Sequence, residues 1–185
     1  LNPVDLSVLE ILPSLTVAFK AFANSLSQIP SVLAMFENNK GIYPKTTGTV
    51  ILGEDVGGTF ATGVTQNISI LANNSNQGIA VARPEVDSLV RRLPLLLRTP
   101  DGWVASYGTE VLKVLAGADT YIIKTNDNGL EEIRVKGLPA VPVDSLGRKW
   151  ISFVNTSQTN LQEMDVENKF VFIGFTAKGI MPQLS

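Results

Sequence analysis

The residues with the clearest capacity for chemistry sit in Val90–Arg98, which reads VRRLPLLLR. Arg91 and Arg92 are adjacent in an extended segment, so one side chain faces each way. One guanidinium can pair with Asp87 or a loop carbonyl, and the other can meet solvent or an anionic ligand. Pairing within the chain is favoured, because a half-buried arginine commonly has a carboxylate partner. The chemistry on offer is recognition of negative charge. The apolar stretch FVFIGF (residues 170–175) ends in the small turn Thr176-Ala177-Lys178-Gly179, and such a turn at the carboxyl end of a strand is a place where a ligand docks in α/β sheets.

Other groupings read as structure. Carboxylates pair at Glu54/Asp55, Glu131/Glu132 and Asp165/Glu167, but glycosidic chemistry needs two carboxylates held across a cleft. Adjacent acids on a strand point to opposite faces. The glycine-rich stretch Gly53 to Gly63 lacks the Lys of a phosphate loop, and no helix follows it, so it reads as a connection that could be mobile. Asn126-Asp127-Asn128-Gly129 would put Lys124 at the first ligand position of a calcium loop, where a cation repels the metal. It reads as a hairpin turn. No metal site and no cofactor are expected.

Composition narrows the classes further. The 185 residues contain no histidine and no cysteine. The commonest general base at neutral pH is therefore missing, as are thiolate catalysis and disulfides. A hydrolase using a Ser/Lys or carboxylate pair is remote, and the chain is read as not an enzyme. With 15 basic and 17 acidic residues, net charge −2, there is no basic patch to neutralise nucleic-acid phosphates. Charged residues make up 17%, against about 25% in typical domains; that deficit hints at covered surface. No run approaches the ~20 apolar residues of a spanning helix. The chain starts at Leu1 rather than Met, and it reads as a piece of a longer polypeptide whose membrane segments lie elsewhere.

The elements that must position these residues follow from periodicity. Helical spacing runs from Leu6 to Ile29, with a capping box at Ser7–Glu10 and a break at Pro13, which predicts a short helix and then a longer one over Ser14–Ser27. Strands are expected at Val32–Phe36, Thr49–Leu52, Phe60–Thr65, Ile79–Ala82 and Leu89–Arg98. A helix from Ser106 to about Leu115 is closed by Gly117. A hairpin joins Thr120–Thr125 to Leu130–Val135, and Ala140–Val143, Lys149–Val154 and Phe170–Phe175 complete the strands. The fold class is α/β (mixed α+β), a mixed β-sheet flanked by helices, with residues 1–185 as one domain.

The order of these segments resembles the cyclase/histidine-kinase-associated sensory extracellular domain, type two, of bacterial membrane receptors. Gly78-Ile79-Ala80-Val81 is similar to its glycine–aromatic strand, and Val90 to Leu95 to its strongest motif. Trp103 to Leu115 resembles its helix start, Pro142, Asp144 and Gly147 its turn, Ile151-Ser152-Phe153 the strand after that turn, and Lys169 to Ile180 its exit strand. That family usually has Asp-Gly before the Val-Arg-Arg step, where this chain has Asp87-Ser88. Its first strand has no counterpart before Leu1.

The resemblance implies a non-enzymatic input domain on the extracytoplasmic (periplasmic or extracellular) side of the cell membrane, followed by membrane helices and a cytoplasmic cyclase or kinase. It implies an unidentified small ligand or partner, with Arg91 or Arg92, Asp87 and Thr176 at the pocket edge near the carboxyl ends of the central strands. A homodimer is expected. The alternative is a structural or dimerisation module of the same receptor with no small ligand.

Overall fold

The computed structural model describes residues 13–153, 167 and 169–174. The chain divides into two units, Leu1–Ile151 and Ser152–Ser185. The described residues of the second unit are in irregular backbone, with Phe153, Phe170, Phe172 and Ile173 exposed.

In the first unit, helix α1 (Pro13–Gln28) begins where proline is tolerated, because the first turn of a helix needs no N–H from it. Its inner stripe, Phe19, Ala23 and Leu26, packs against Leu71 of the short helix α2 (Ser69–Ala72) and against Leu33. Strand β1 (Val32–Glu37) lies between β4 (Val64–Thr65), antiparallel, and β5 (Asn76–Ala80), parallel. A second sheet has the order β11 (Val141–Pro142), β10 (Gly129–Val135), β9 (Thr120–Asn126), β2 (Gly48–Leu52). Its hairpin turns at Asn126–Asn128, where the Asn128 N–H donates to Asn126 Oδ1. A third sheet joins β3 (Thr59–Phe60), β7 (Leu96–Thr99) and β8 (Gly102–Ala105). A two-stranded ribbon pairs β6 (Arg92–Pro94) with β12 (Arg148–Trp150).

Helix α3 (Tyr107–Leu115) ends as expected. Gly117 is left-handed (φ 57°), its N–H donates to Val114 O, and the Ala118 N–H donates to Lys113 O. Those paired bonds satisfy the last carbonyls of the helix.

Several expectations need correction. Leu89–Arg98 is not one strand. Pro94 has no N–H to continue a ladder, and the chain changes sheets at Leu95, whose N–H donates to Gly147 O and whose carbonyl accepts from Ser106 N. Phe60–Thr65 likewise splits, into β3 and β4 on different sheets. The ribbon strand expected over Lys149–Val154 stops at Trp150. Residues 170–174 form no strand: a strand needs a hydrogen-bonded neighbour, and none pairs with them among the described residues. The capping box Ser7–Glu10 and the short first helix lie outside the described residues. The glycine-rich connection is tied down rather than loose. The Asp55 carboxylate accepts two bonds from Arg98 (2.8 and 3.0 Å) and one from Trp103 Nε1 (3.3 Å), its carbonyl accepts a further bond from Arg98 (3.1 Å), and Gly58 (φ 95°) lies where a Cβ would meet the Trp103 ring at 2.4 Å.

Besides the Ala23, Leu26 and Leu71 cluster under α1, two larger clusters are packed among the described residues. One gathers Leu96, Trp103, Ala105, Tyr121, Ile123, Leu130, Ile133 and Val135, and the other Met35, Ala61, Val64, Ile79, Val81, Leu97 and Val104. Helix α3 reaches β5 at Gly78, where a Cβ would stand 2.6 Å from Tyr107 Cα and 3.0 Å from both Glu110 Cβ and Ser106 O. Helix and strand backbones must separate to admit a methyl group there. Gly78→Ala is therefore expected to lower the unfolding free energy by about 1–3 kcal/mol, the usual cost of overpacking, read from urea denaturation of both proteins.

Candidate functional site

The segment leading into β6 is built by a tight turn. The Glu85 N–H donates to Leu89 O, the Ser88 N–H donates to Glu85 O, and the Leu89 N–H donates to Asp87 Oδ1. Ser88 takes a left-handed conformation (φ 66°), a region that side chains other than Gly and Asn enter at a cost. This is the position where the resembled pattern carries glycine.

The turn folds both acids back onto both arginines. Arg91 Nη1 donates to Asp87 Oδ1 (2.9 Å) and Glu85 Oε2 (3.4 Å), and its Nη2 donates to Asp87 Oδ2. Arg92 Nε donates to Glu85 Oε1 (2.8 Å) and its Nη1 to Asp144 Oδ2 (3.3 Å). The Arg92 guanidinium also lies over the Trp150 ring, 5.3 Å from its centre. Glu85 thus bridges two side chains expected to part company.

Asp144 closes the cluster from the other side. Its Oδ1 accepts from the N–H groups of Leu146 (3.1 Å) and Arg148 (2.8 Å), and its Oδ2 accepts from Arg148 Nε (2.9 Å) as well as Arg92. Three carboxylates therefore face three guanidiniums, and every charge has a partner. Between them is an open cleft of about 480 Å³ lined by Glu85, Val86, Asp87, Arg91, Arg92 and Arg148.

The electrostatics follow the geometry. The hydrogen bond from Arg92 is the main reason Glu85 titrates below its ordinary 4.5, and the bond from Arg91 does the same for Asp87 relative to 3.8. Burial pushes the Asp144 carboxyl up, but the bonds and charge of Arg148 outweigh it and hold the group below 3.8.

Of the residues expected at the site, Arg91, Arg92 and Asp87 come together, while Thr176 lies outside the described residues. Glu85, Asp144, Arg148 and Trp150 were missed. The signal for Asp144 was present in Asp144-Ser145-Leu146-Gly147-Arg148, since Asp at the first position and Gly at the fourth mark a turn whose side chain caps its own backbone. Two further ion pairs lie away from this cluster. Glu131 pairs with Lys124 (3.2 Å) on neighbouring strands. Glu110, 2% exposed, receives Lys113 (2.7 Å) and the Tyr121 hydroxyl (2.7 Å). Burial, then the Glu110 charge, pushes that hydroxyl far above its ordinary 10.0, so it stays a donor. Among the described residues no group of acidic side chains could hold a metal ion, and no helix is long and apolar enough to cross a membrane.

With the Val-Arg-Arg segment and the Asp144–Arg148 turn locked into one cluster, the family profile of the CHASE2 domain matches residues 8–185. The chain belongs to the CHASE2 family. No curated protein and no solved structure shows significant similarity to it. CHASE2 domains are extracellular sensory domains of receptors. In this CHASE2 domain the matched span takes in both halves of the ion cluster and the ribbon that joins them.

Two outcomes are expected. Ser88→Gly removes the cost of a left-handed side chain and raises the unfolding free energy of the CHASE2 domain by about 1 kcal/mol, measured by chemical denaturation. The pH dependence has a definite sign. Carboxyls depressed in the folded state contribute stability above their ordinary values, and that contribution is lost as pH falls through the folded ones. Denaturation midpoints should hold steady from pH 7 to about pH 5 and fall below the ordinary values of 4.5 and 3.8. Glu85→Gln should be less stable than wild type at pH 7 and should approach it at pH 3.

Proposed function

We propose that this CHASE2 domain is the extracytoplasmic input domain of a bacterial transmembrane receptor, acting as one sensory domain that pairs as a homodimer. It binds a small ligand or partner at the arginine–carboxylate cleft and passes the signal through flanking membrane segments to a cytoplasmic cyclase or kinase. The observation that carries the reading is the family match over residues 8–185. The cleft supports it with a mechanism. Asp87 is half exposed, with 50% of its side chain open to solvent, and holds Arg91 from outside the packed core. An incoming anion of the right shape replaces Asp87 on the Arg91 fork and frees the Glu85–Leu89 turn from one of its anchors. A ligand that prefers the turn in one arrangement shifts the population toward it by that differential free energy, commonly about 1–3 kcal/mol in allosteric proteins.

A second reading is favoured by the charge balance. With each guanidinium already matched by a carboxylate, the cluster also serves as a clamp between the Val-Arg-Arg segment and the Asp144–Arg148 turn, in a structural or dimerisation module with no small ligand. Titration calorimetry and thermal shift against a broad panel of anionic metabolites separate the two. The sensory reading expects at least one compound to release heat and raise the melting temperature, with both effects lost in Arg91→Ala. No heat and no shift from any compound, with Arg91→Ala simply less stable, leaves the clamp.

A further inference from the structure

Exchange of a ligand into the arginine–carboxylate cleft is constrained by charge. The cluster is neutral as it stands, with Glu85, Asp87 and Asp144 facing Arg91, Arg92 and Arg148. Asp87 holds Arg91 in a two-point fork, Oδ1 on Nη1 (2.9 Å) and Oδ2 on Nη2. A ligand carboxylate laid on that fork reproduces both bonds. It also leaves four carboxylates among three guanidiniums.

The surplus charge falls on Asp87. Asp144 keeps Arg148 and two backbone N–H groups, and Glu85 keeps Arg92 Nε (2.8 Å). With Arg91 taken, the bond left to Asp87 among the described residues is the one from the Leu89 N–H (3.2 Å). Its backbone is four residues from Arg91, so the displaced carboxylate stays beside the incoming one. Both are ionised at neutral pH, and like charges held that close oppose each other.

A ligand that carries a cation next to its carboxylate removes the surplus. An ammonium on the adjacent carbon reaches the displaced Asp87 while the carboxylate lies on Arg91. One ion pair is then exchanged for two, and the cleft stays neutral. A simple monoanion leaves Asp87 without its partner, and a dianion adds to the excess. A cation with no carboxylate meets three guanidiniums and cannot open the fork.

We infer that the cleft takes a free α-amino acid, held by its carboxylate on Arg91 and by its ammonium on Asp87. This rests on the sensory reading above for the binding itself and goes beyond it in naming the class of compound bound. Asp87 thus has two roles: it occupies the Arg91 fork in the empty cleft and receives the ammonium in the filled one.

The test is titration calorimetry of the full chain against the common L-amino acids, each beside its desamino acid, its N-acetyl derivative and its amide. At least one amino acid should bind about tenfold more tightly than its desamino and N-acetyl forms, the scale of one hydrogen bond between charged groups. Its amide should not bind. Asp87→Asn supplies a second readout, because asparagine keeps the Oδ1 acceptor for the Leu89 N–H and loses only the charge. In that variant, checked for a cooperative melt, the desamino acid should bind more tightly than to wild type and the preference for the amino acid should vanish. A merely structural role for Asp87 would weaken both compounds alike and leave their ratio unchanged, which overturns the assignment. Desamino acids or amides that bind wild type as tightly as the amino acids, or an anion that binds where no amino acid does, overturn the amino-acid class and leave the sensory cleft standing. No binding by any of these compounds or by the anionic panel overturns both.

Discussion

The β7–β8 hairpin is buried on both faces, and the packing of the first unit follows from that constraint. Leu96 and Leu97 are neighbours in sequence, point to opposite sides of one strand, and are both fully buried. Leu96 joins Trp103 and Ala105 in the cluster built on β9 and β10, whereas Leu97 joins Val104 in the cluster built on β1 and β5. Strand alternation makes this two-sidedness obligatory once both faces are apolar. Each of the larger sheets then covers one face of the hairpin, and helix α3, which leaves β8 directly, settles against β5.

The arginine–carboxylate cluster hangs on the entrance to that hairpin. Leu95 is the first residue before β7, and its backbone bonds to Gly147 and Ser106 lie between the buried strands and the β6–β12 ribbon. Arg92 and Arg148 approach each other because β6 and β12 are in antiparallel register at Arg148 and Pro94, Trp150 and Arg92. Asp144 then collects both guanidiniums and two backbone N–H groups. Charge-assisted bonds of this kind gain strength from partial burial and geometric fit, so the cluster is stiff where Asp144 holds it and open to exchange where Asp87 does.

This gradient matters for a sensory domain. A site that answers to a ligand needs one part that can rearrange and one part that transmits the change. In the proposed sensory reading Asp87 and the strained Ser88 turn are the part that rearranges, and Asp144, bonded into the ribbon and through Leu95 to the core, is the part that transmits. The internal neutrality of the cluster also explains the absence of a basic surface here despite adjacent arginines.

Local pattern alone determined a good deal. The α3 helix with its Gly117 end, the Asn126–Asn128 hairpin, the β1 and β2 strands, the mixed α+β class and the family membership were all legible, because each depends on residues within one or two turns or on the order of such segments. That one of the two arginines can reach Asp87 was legible too, while the choice of Arg91 came from the fold. Tertiary structure decided the rest. Leu89–Arg98 carries an unbroken extended signal, and only the arrival of Gly147 and Ser106 at Leu95 shows that it serves two sheets. The convergence of Arg91 and Arg92 on Glu85 contradicts simple strand alternation, because a left-handed Ser88 turns the preceding acids back over them. Asp144 lies 52 positions from Arg92 in the chain, and no local periodicity can report a contact made by the register of two strands that far apart in sequence.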